Sequence, residues 1–471
     1  MNKKFYITAA IPYVNGKPHI GHCEEYVQVD VIKRYHKLLG EEVASLSGGD
    51  ENALKNVQAA EKAGVELQKF IDENTEAFRK VAIALNAKFD YWQKGSDQKH
   101  HFPSSQKLWE FCNKKGDIYK KAYEGLYCVG CETFYTPEEL NENGECYEHP
   151  GKKLDVVKEE NYFFKLSSYK DKLQELIESD TLKIIPESRK NEALGWLKED
   201  VPDISISRSN ERAKNWGVPV PSDPAQRIYV WFDALNIYQS GVGFGWDENL
   251  YKKWWPADIH AIGKGISRFH TIYWPAFLLS ARLQLPKTVF VHEYITVNGQ
   301  KIAKSNPETA IDPLPLIEKY GADAIRYYLL AKVSPFSDGD FTEGKLIEVY
   351  NADLANGLGN LVARVAKLAE KVKFATEKSD NNLEINLEDY RFDHVLEKLW
   401  QKIAELNKQI DVAEPWKLDD KDLKVFLEKI VPEIQNLAFN LQPFLPETSE
   451  KILQQFSGEI KAGPPLFPRI S

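Results

Sequence analysis

The first candidate for chemistry is a histidine pair near the start of the chain. The segment 18–22 reads Pro-His-Ile-Gly-His, so His19 and His22 lie three residues apart around Gly21. The segment follows an apolar run and opens a helical pattern, and the free N–H groups at a helix start attract phosphate. Both imidazoles could donate to phosphate oxygens as charge develops there, and Gly21 leaves room for an adenine to approach the backbone. In isolation, the pattern is equally compatible with a metal-binding pair or a chance match.

A second candidate is a lysine pair far downstream. The segment 301–305 reads Lys-Ile-Ala-Lys-Ser, and glycine, asparagine and proline flank it. Loops of this composition can close over a polyphosphate, to which Lys301 and Lys304 would bring positive charge. A lone Lys-x-x-Lys is more often a solvated surface pair. The functional interpretation therefore depends on finding both motifs in order, one in each half of a predicted sheet.

A third candidate is a metal site formed by Cys128, Cys131, Cys146 and His149. Cys-x-x-Cys followed by Cys-x-x-His is typical of a tetrahedral structural Zn²⁺ site with three thiolates and one imidazole. Since protein ligands fill all four positions, no place remains for an activated water. The pattern therefore predicts a role in folding rather than in hydrolysis, and it favours a reducing compartment.

These motifs lie on a predicted α/β framework. Apolar runs alternate with amphipathic stretches between residues 5 and 62, which indicates β-α-β-α and a doubly wound parallel sheet. The predicted strands are 5–10, 42–47, 228–231, 258–262 and 288–291, and the first two predicted helices are 24–39 and 51–62.

Changes in composition along the chain indicate four segments, two of which are halves of one domain. Glycine, proline, cysteine and charge clusters begin near residue 115, and they predict an insertion that carries the metal module and splits the sheet. Long amphipathic stretches from about residue 335 predict an all-helical bundle. The predicted domains are the first half of a Rossmann-like domain at 1–114, the insertion at 115–224, the second half with the lysine loop at 225–334, and the helical domain at 335–471.

Charge and hydropathy exclude some classes of protein. The 471 residues carry a formal net charge of −9, so any contact with RNA must come from a local basic patch. No apolar run approaches the roughly 20 residues that a membrane-spanning helix needs, and the N-terminus lacks the apolar core of a signal peptide. We expect a soluble cytoplasmic enzyme with no membrane contact.

One predicted helix of the C-terminal domain carries a basic stripe. Asn360, Arg364, Lys367 and Lys371 are spaced by four, three and four residues, which places them on one helix face beside an apolar stripe. Such a face suits contact with the backbone and bases of RNA. A solvated helix surface explains the same pattern equally well.

Together the two phosphate motifs resemble the HIGH and KMSKS signatures of the class I aminoacyl-tRNA synthetases. The flanking segments 13–18, 310–313 and 319–328 are similar to those of the methionyl-tRNA synthetase family, and the resemblance covers nearly the whole chain. It implies activation of methionine by ATP and Mg²⁺, with His19, Gly21, His22, Lys301 and Lys304 at the ATP. It also implies transfer of methionine to the 3′ end of tRNA(Met), initiator and elongator.

The same resemblance implies further site residues. Asp50 matches the acid that accepts the ammonium group of the substrate, and the insertion matches the family's metal-bearing module. Residues that match the methionine pocket are Ile11, Tyr13, Asp50, Trp231, Ala234, Leu235, Tyr238, Ile266, His270 and Trp274. Residues that match the reader of the CAU anticodon are Asn360, Arg364, Pro415 and Trp416. A shaped aromatic pocket suits a thioether, which has no strong hydrogen-bonding group.

The chain departs from the family pattern at a few positions. Asn52 stands where His is usual, Gly265 where an acid is common, and Ile302 and Ala303 where Met and Ser are usual. These departures are also compatible with an alternative function, that of a tRNA-binding paralogue with altered catalysis. The other alternative is a class I synthetase for leucine, isoleucine, valine or cysteine. The enzymes for the branched-chain amino acids have an editing insertion that is much larger than the insertion predicted in this chain. We expect a monomer, because no appended dimer-forming domain follows the helices.

Overall fold

The computed structural model describes residues 3–131, 133–135, 137–302, 306, 308–377 and 381–470. The strands are β1 Lys4–Ala9, β2 Glu42–Gly49, β3 Tyr91–Lys94, β4 Ile118–Cys128, β5 Thr133–Tyr135, β6 Asp155–Phe164, β7 Lys183–Ile185, β8 Ile204–Ser205, β9 Ser207–Ser209, β10 Pro219–Val220, β11 Asp223–Ile228, β12 Ile259–Gly263, β13 Thr288–His292, β14 Ile295–Val297, β15 Gln300–Lys301, β16 Gly339–Phe341, β17 Ala375–Thr376 and β18 Gly458–Glu459.

The α-helices are α1 Ile20–Leu38, α2 Leu54–Ala63, α3 Leu67–Ala84, α4 His101–Lys115, α5 Lys170–Glu178, α6 Glu187–Lys198, α7 Val230–Ser240, α8 Glu248–Trp254, α9 Trp274–Ser280, α10 Pro313–Tyr320, α11 Ala322–Ala331, α12 Glu343–Val349, α13 Asn360–Lys371, α14 Phe392–Ala413, α15 Asp420–Leu441 and α16 Pro446–Gln455. Two π-helical segments, Phe269–Tyr273 and Tyr350–Gly359, lead into α9 and α13. Within the described residues, no helix is long and apolar enough to cross a bilayer.

The chain divides into two compact units. The first unit comprises Met1–Pro18, Glu42–Lys80 and Phe89–His292, and the second comprises His19–Glu41, Val81–Lys88 and Glu293–Ser471.

A six-stranded parallel sheet forms the centre of the first unit. Its strand order is β3-β2-β1-β12-β13-β7. Residues 5–9 of β1 are all buried, as expected for a strand covered on both faces. The order reverses between β1 and β12, and ligands of doubly wound sheets bind at such a point, outside the carboxyl ends of the strands. This sheet confirms the predicted fold class.

The segment between β4 and β11 contains two smaller antiparallel sheets. The long strands β4 and β6 pair over ten residue positions, and β5 and β8 flank them. Strands β9, β10 and β11 form the other sheet. One short strand from the same stretch of chain, β7, pairs in parallel with β13 as an edge of the six-stranded sheet. The predicted insertion at 115–224 thus contains a strand of the main sheet.

Helices form most of the second unit. A buried guanidinium group, Arg326 on α11, ties several of its segments together. It forms an ion pair with Asp30 of α1 at 2.8 Å and donates to the carbonyl oxygens of Leu85, Pro443 and Phe444 at 2.7 to 3.0 Å. A fully buried cation is tolerable only with such complete pairing.

Three predicted elements differ from the structure. The second predicted helix, at 51–62, begins three residues later, at Leu54. The predicted helix 24–39 begins four residues earlier, at Ile20, because the His19 side chain caps it in the place of the usual Ser, Thr or Asp. The predicted strand 228–231 is wrong, because β11 ends at Ile228 and Val230 already begins α7. All residues of α7 are buried, and its first residues continue the short apolar run 228–231, which periodicity alone cannot distinguish from a buried strand.

Candidate active site

The histidine pair forms the N-terminal cap of α1. The Gly21 N–H donates to Nδ1 of His19 at 3.2 Å, and the His19 N–H donates to Nδ1 of His22 at 3.1 Å. The two half-buried rings lie 3.9 Å apart. Because Nδ1 accepts in both rings, the proton of each neutral imidazole is on Nε2. The helix start therefore combines two oriented N–H donors with the positive end of the helix dipole.

The lysine motif follows a β-hairpin of the second unit. Strands β14 and β15 are joined by Asn298 and Gly299, whose φ angles of 52° and 72° fit a tight two-residue turn. Lys301, at the end of β15, is exposed, whereas Lys304, with Ala303 and Ser305, lies outside the described residues. Ile302 packs close to the histidine motif: a Cβ placed on Gly21 would lie 3.2 Å from its Cδ1. The two signatures thus meet at Gly21, where a larger side chain would be crowded.

Sequence reasoning missed two acids beside the histidines. Glu24 and Glu25 lie on the first turns of α1 and are only 1% and 8% exposed. Gln28 donates to Glu24 at 3.1 Å. In the sequence, charged residues on a helix are normally expected to face solvent. The sequence pattern therefore did not indicate that Glu24 and Glu25 are buried.

The residues predicted for the methionine pocket all belong to the first unit, and four of its segments supply them. Ile11 and Tyr13 follow β1, Asp50 follows β2, and Ile266, His270 and Trp274 follow β12. The remaining four, on the buried helix α7, are Trp231, Ala234, Leu235 and Tyr238. The segments after β1 and β12 leave the sheet at its point of reversal, where a ligand cleft is expected.

Aromatic rings pack around this point. The Tyr13 ring meets Trp231 edge-on at 6.1 Å, and Trp231 stacks on Phe269 at 3.7 Å. Tyr238 lies 5.5 Å from His270. Phe269 was not singled out in the sequence, since a phenylalanine beside a helix normally indicates core packing. These packed rings, the aromatic pocket, therefore offer polarizable surfaces with the Tyr238–His270 pair among them.

Hydrogen bonds fix the protonation state of His270. Its Nδ1 lies 2.9 Å from the Ile266 carbonyl oxygen, which only accepts, so Nδ1 carries the proton. Burial lowers the pKa of His270 to about 4, although the bond to Ile266 raises it. Nε2 is therefore an acceptor at neutral pH, and the Tyr238 hydroxyl donates to it at 2.7 Å. Burial also holds the pKa of the neighbouring His260 well below its ordinary value.

This burial predicts a pH-dependent stability. Since the folded-state pKa of His270 is depressed, its contribution to stability is complete above the unfolded pKa of about 6.5 and is lost as the pH falls towards about 4. The shift corresponds to about 3 kcal/mol. We expect the difference in unfolding free energy between the wild type and His270→Gln to shrink by about that amount between pH 7 and pH 4, measured by urea unfolding. A difference in unfolding free energy that stays constant between pH 7 and pH 4 would contradict the lowered pKa of His270.

Asp50 is fixed at the carboxyl end of β2. Its side chain is 3% exposed, its N–H donates to the Pro12 carbonyl at 2.9 Å, and its own carbonyl accepts from the Asn56 amide at 2.8 Å. Asp50 and Tyr13 pair as an isolated parallel bridge. A buried carboxylate at the end of a parallel strand is well placed to bind a cation such as an ammonium group.

The four predicted metal ligands come together. All their ligand atoms lie within 4.8 Å of one another, and the Sγ atoms of Cys128 and Cys146 are 3.2 Å apart. Bond lengths of about 2.3 Å in a tetrahedral zinc site give ligand separations of about 3.8 Å. Gly130 is required between the first two ligands, because a Cβ there would lie 2.6 Å from the His149 ring. The residues therefore fit a closed tetrahedral metal site.

Contacts connect this cluster with the aromatic pocket. The Trp231 indole N–H donates to the Cys131 carbonyl at 3.3 Å, and Lys55 donates to the Gly130 carbonyl at 3.3 Å. The Lys55 ammonium also lies over the Tyr13 ring. These contacts join residues far apart in sequence, so spacing could not reveal them.

The residues predicted to read the anticodon lie in the helical part of the second unit. Arg364 forms an ion pair with Asp411 at 2.6 Å, and its guanidinium carbon lies 5.8 Å from the Trp416 ring. Trp416 is 49% exposed, whereas Pro415 is buried. Asn360 is exposed on the same face of α13 as Arg364 and contacts Asn407 at 3.5 Å. The exposed indole of Trp416 thus lies near the guanidinium of Arg364, which the ion pair with Asp411 orients.

Residues 5–366 match the family model described as tRNA synthetases class I (M). The methionine–tRNA ligase of Thermotoga maritima is 40% identical over 482 residues, which cover 97% of this chain and 76% of that protein. The methionine–tRNA ligase of Brucella suis biovar 1 is 37% identical over 511 residues, which cover 99% and 98%.

Solved structures show the same similarity. Mycobacterium tuberculosis methionyl-tRNA synthetase in complex with methionyl-adenylate superimposes with a TM-score of 0.91 at 34% identity, over 99% of this chain and 100% of that chain. The apo form of the same protein gives 0.83 at 31% identity, over 100% and 99%.

Proposed function

Because this chain belongs to the class I tRNA synthetases, within the family of methionine–tRNA ligases, we propose that it activates methionine with ATP and transfers it to tRNA. The observation that carries the proposal is the buried aromatic pocket at the reversal point of the sheet, with the Tyr238–His270 pair inside and Asp50 at its edge. The resemblance found in the sequence is confirmed at the level of the family.

The pocket chemistry suits methionine. The carboxylate of Asp50 would accept hydrogen bonds from the substrate ammonium group, and the apolar rings would surround the thioether. Sulfur–aromatic contacts and shape then provide the selectivity, because a thioether offers only a weak acceptor. Tyr238 donates its proton to His270 and keeps its oxygen lone pairs, so the polar pair presents one fixed arrangement at neutral pH.

The phosphate motifs would act on ATP, which binds with Mg²⁺. A carboxylate oxygen of methionine forms a bond to the α-phosphorus, the bond from that phosphorus to the bridging oxygen breaks, and pyrophosphate leaves. His19 and His22 would stabilise the developing charge through their Nε2–H groups, while Gly21 admits the adenine. Lys301 and Lys304 would neutralise the leaving pyrophosphate. In the second step a terminal ribose hydroxyl of tRNA attacks the methionyl carbonyl, and AMP leaves.

ATP–pyrophosphate exchange tests this function. We expect the purified chain to exchange labelled pyrophosphate into ATP with methionine, and not with leucine, isoleucine, valine or cysteine. No exchange with any of these amino acids would mean a tRNA-binding paralogue, and exchange with another amino acid would overturn the methionine assignment. Charging of a methionine tRNA transcript with labelled methionine tests the transfer step.

The cysteine–histidine cluster would hold structural Zn²⁺. The metal would fold the segment after β4 and fix the Cys131 carbonyl, to which the Trp231 indole donates. We expect about one zinc per chain, its loss in Cys146→Ser, and a rise of about tenfold or more in the KM for methionine, while the KM for ATP changes little. Metal content is measured by elemental analysis. Cys112→Ser is the matched control: this cysteine is buried elsewhere and should keep the metal. A zinc-free Cys146→Ser protein with an unchanged KM would contradict the link to the pocket.

The helical part of the second unit would bind the anticodon of tRNA(Met), both initiator and elongator. Support comes from the exposed Trp416, which can stack an unpaired base, and from the neighbouring Arg364 and Asn360. Pro415 would fix the turn that presents the indole. We further propose that the chain acts as a monomer in the cytoplasm, and that 1–114 with 225–334, 115–224, and 335–471 are its catalytic, connective and anticodon-binding domains.

A further inference from the structure

Helix α7, which carries part of the aromatic pocket, has a polar side as well. Its residues from Val230 to Ser240 are all buried. Trp231, Ala234, Leu235 and Tyr238 belong to the pocket. The polar side chains on the other side of the helix also contact other segments, and they are Asp233, Asn236, Gln239 and Ser240. A buried polar face must be fully paired, so it can fix how the helix is rotated.

Helix α4 pairs with this polar face. One carboxylate oxygen of Asp233, Oδ1, accepts from His101 Nε2 and from the Ser105 hydroxyl, both at 2.8 Å. His101 also contacts the Ser240 hydroxyl at 2.7 Å, and Asn236 donates to the Ser104 hydroxyl at 2.9 Å. His101 and Asp233 have side chains that are 0% and 2% exposed. These contacts set the rotation of α7 and therefore the direction of the pocket side chains.

The second oxygen of Asp233 connects α7 with the loop that holds Asp50. The Asn52 side-chain amide donates to Asp233 Oδ2 at 2.6 Å and to the Gly95 carbonyl at 2.8 Å. Asn52 is two residues beyond Asp50. The residue between them, Glu51, is anchored by Thr75 at 2.6 Å and by the Ser96 N–H at 3.0 Å. The loop of residues 50–52 is therefore held by Thr75, Ser96 and Gly95. The hydrogen bond from Asn52 to Asp233 connects this loop with α7.

We propose that Asn52 and Asp233 are positioning residues for methionine, which set the distance between Asp50 and the pocket residues of α7. The proposal rests on the proposed function. Asn52 would act through its two amide hydrogens, which satisfy two acceptors at once. A neutral imidazole has only one N–H to donate, so a histidine at this position can make only one of the two bonds.

Three variants at position 52 test this role. In Asn52→Asp, two carboxylates and a carbonyl oxygen would face one another with no donor, so the loop and Asp50 should shift. We expect the KM for methionine to rise by about tenfold to 100-fold, as for small misplacements in active sites, while the KM for ATP stays within about twofold. Asn52→Ala, which only removes the link, should raise the KM for methionine less. Asn52→His restores one donor and should return the KM for methionine to within about threefold of the wild type.

Pyrophosphate exchange is measured for each variant at varied methionine and varied ATP, together with the thermal midpoint. Asn249→Ala, at an exposed asparagine of α8, is the control and should behave like the wild type. An unchanged KM for methionine in Asn52→Asp overturns the proposal. The proposal is also overturned if the KM values for methionine and for ATP rise equally and in proportion to the fall in the thermal midpoint. Failure of the proposed function is distinct, because the wild type itself would then show no methionine-dependent exchange.

Discussion

His22→Ala is expected to lower methionine-dependent pyrophosphate exchange by about 100-fold or more. The expected size is that of losing one oriented donor to a charge that develops in the transition state. Because Nδ1 of His22 accepts from the His19 backbone, its remaining ring nitrogen is the donor that the substitution removes. The loss should appear in kcat, with a smaller change in the KM for ATP, since the interaction forms only in the transition state.

His36→Ala is the matched control for this experiment, because His36 lies in the last turn of the same helix. It should leave the exchange rate within about twofold of the wild type. His22 also accepts a capping hydrogen bond, so helix content is compared by circular dichroism. A His22→Ala enzyme with a rate near that of the wild type would refute the proposed role.

Trp416→Ala is expected to reduce charging of a methionine tRNA transcript by about tenfold to 100-fold while pyrophosphate exchange is unchanged. Stacking of an unpaired base on an aromatic side chain contributes about 1–3 kcal/mol. The indole is half-exposed, and Arg364 near it is held by Asp411, so the surface is already arranged before RNA binds. The loss should appear in kcat/KM for tRNA.

Val425→Ala is a suitable control, since Val425 is an exposed apolar residue of the neighbouring helix α15. It should charge tRNA like the wild type. If Trp416→Ala charged tRNA normally, or if its exchange rate fell equally, the anticodon assignment would be wrong.

Local patterns predicted much of this molecule. The metal ligands could be located because two pairs with short spacing must come together around one ion, and the structure brings all four within reach. Strands β1, β2, β12 and β13 were predicted to within one or two residues, because buried parallel strands are short continuous apolar runs. Apolar periodicity predicted an all-helical domain from about residue 335, and the long helices α14 and α15 lie in that part of the chain.

Long-range features could not be predicted in this way. Whether residues 229–231 continue a strand or begin a helix depends on burial by other segments, not on their own pattern. The Asn52–Asp233–His101 network joins three distant parts of the chain, and nothing in their spacing indicates it. The start of α1 at Ile20 depends on a histidine that acts as a cap, a role outside the usual preferences.

The pairing of Arg326 bears on attempts to make a smaller enzyme. Two of the carbonyl oxygens that accept from its guanidinium belong to Pro443 and Phe444, near the end of the chain. A shortened protein that stops at residue 334 would keep this cation and lose those acceptors, so α1, whose first turn carries the histidine pair, would lose part of its support. The C-terminal helices therefore also support the fold of the second unit and cannot be removed without a cost to it. A minimal adenylate-forming fragment would need an apolar replacement for Arg326, together with one for its partner Asp30.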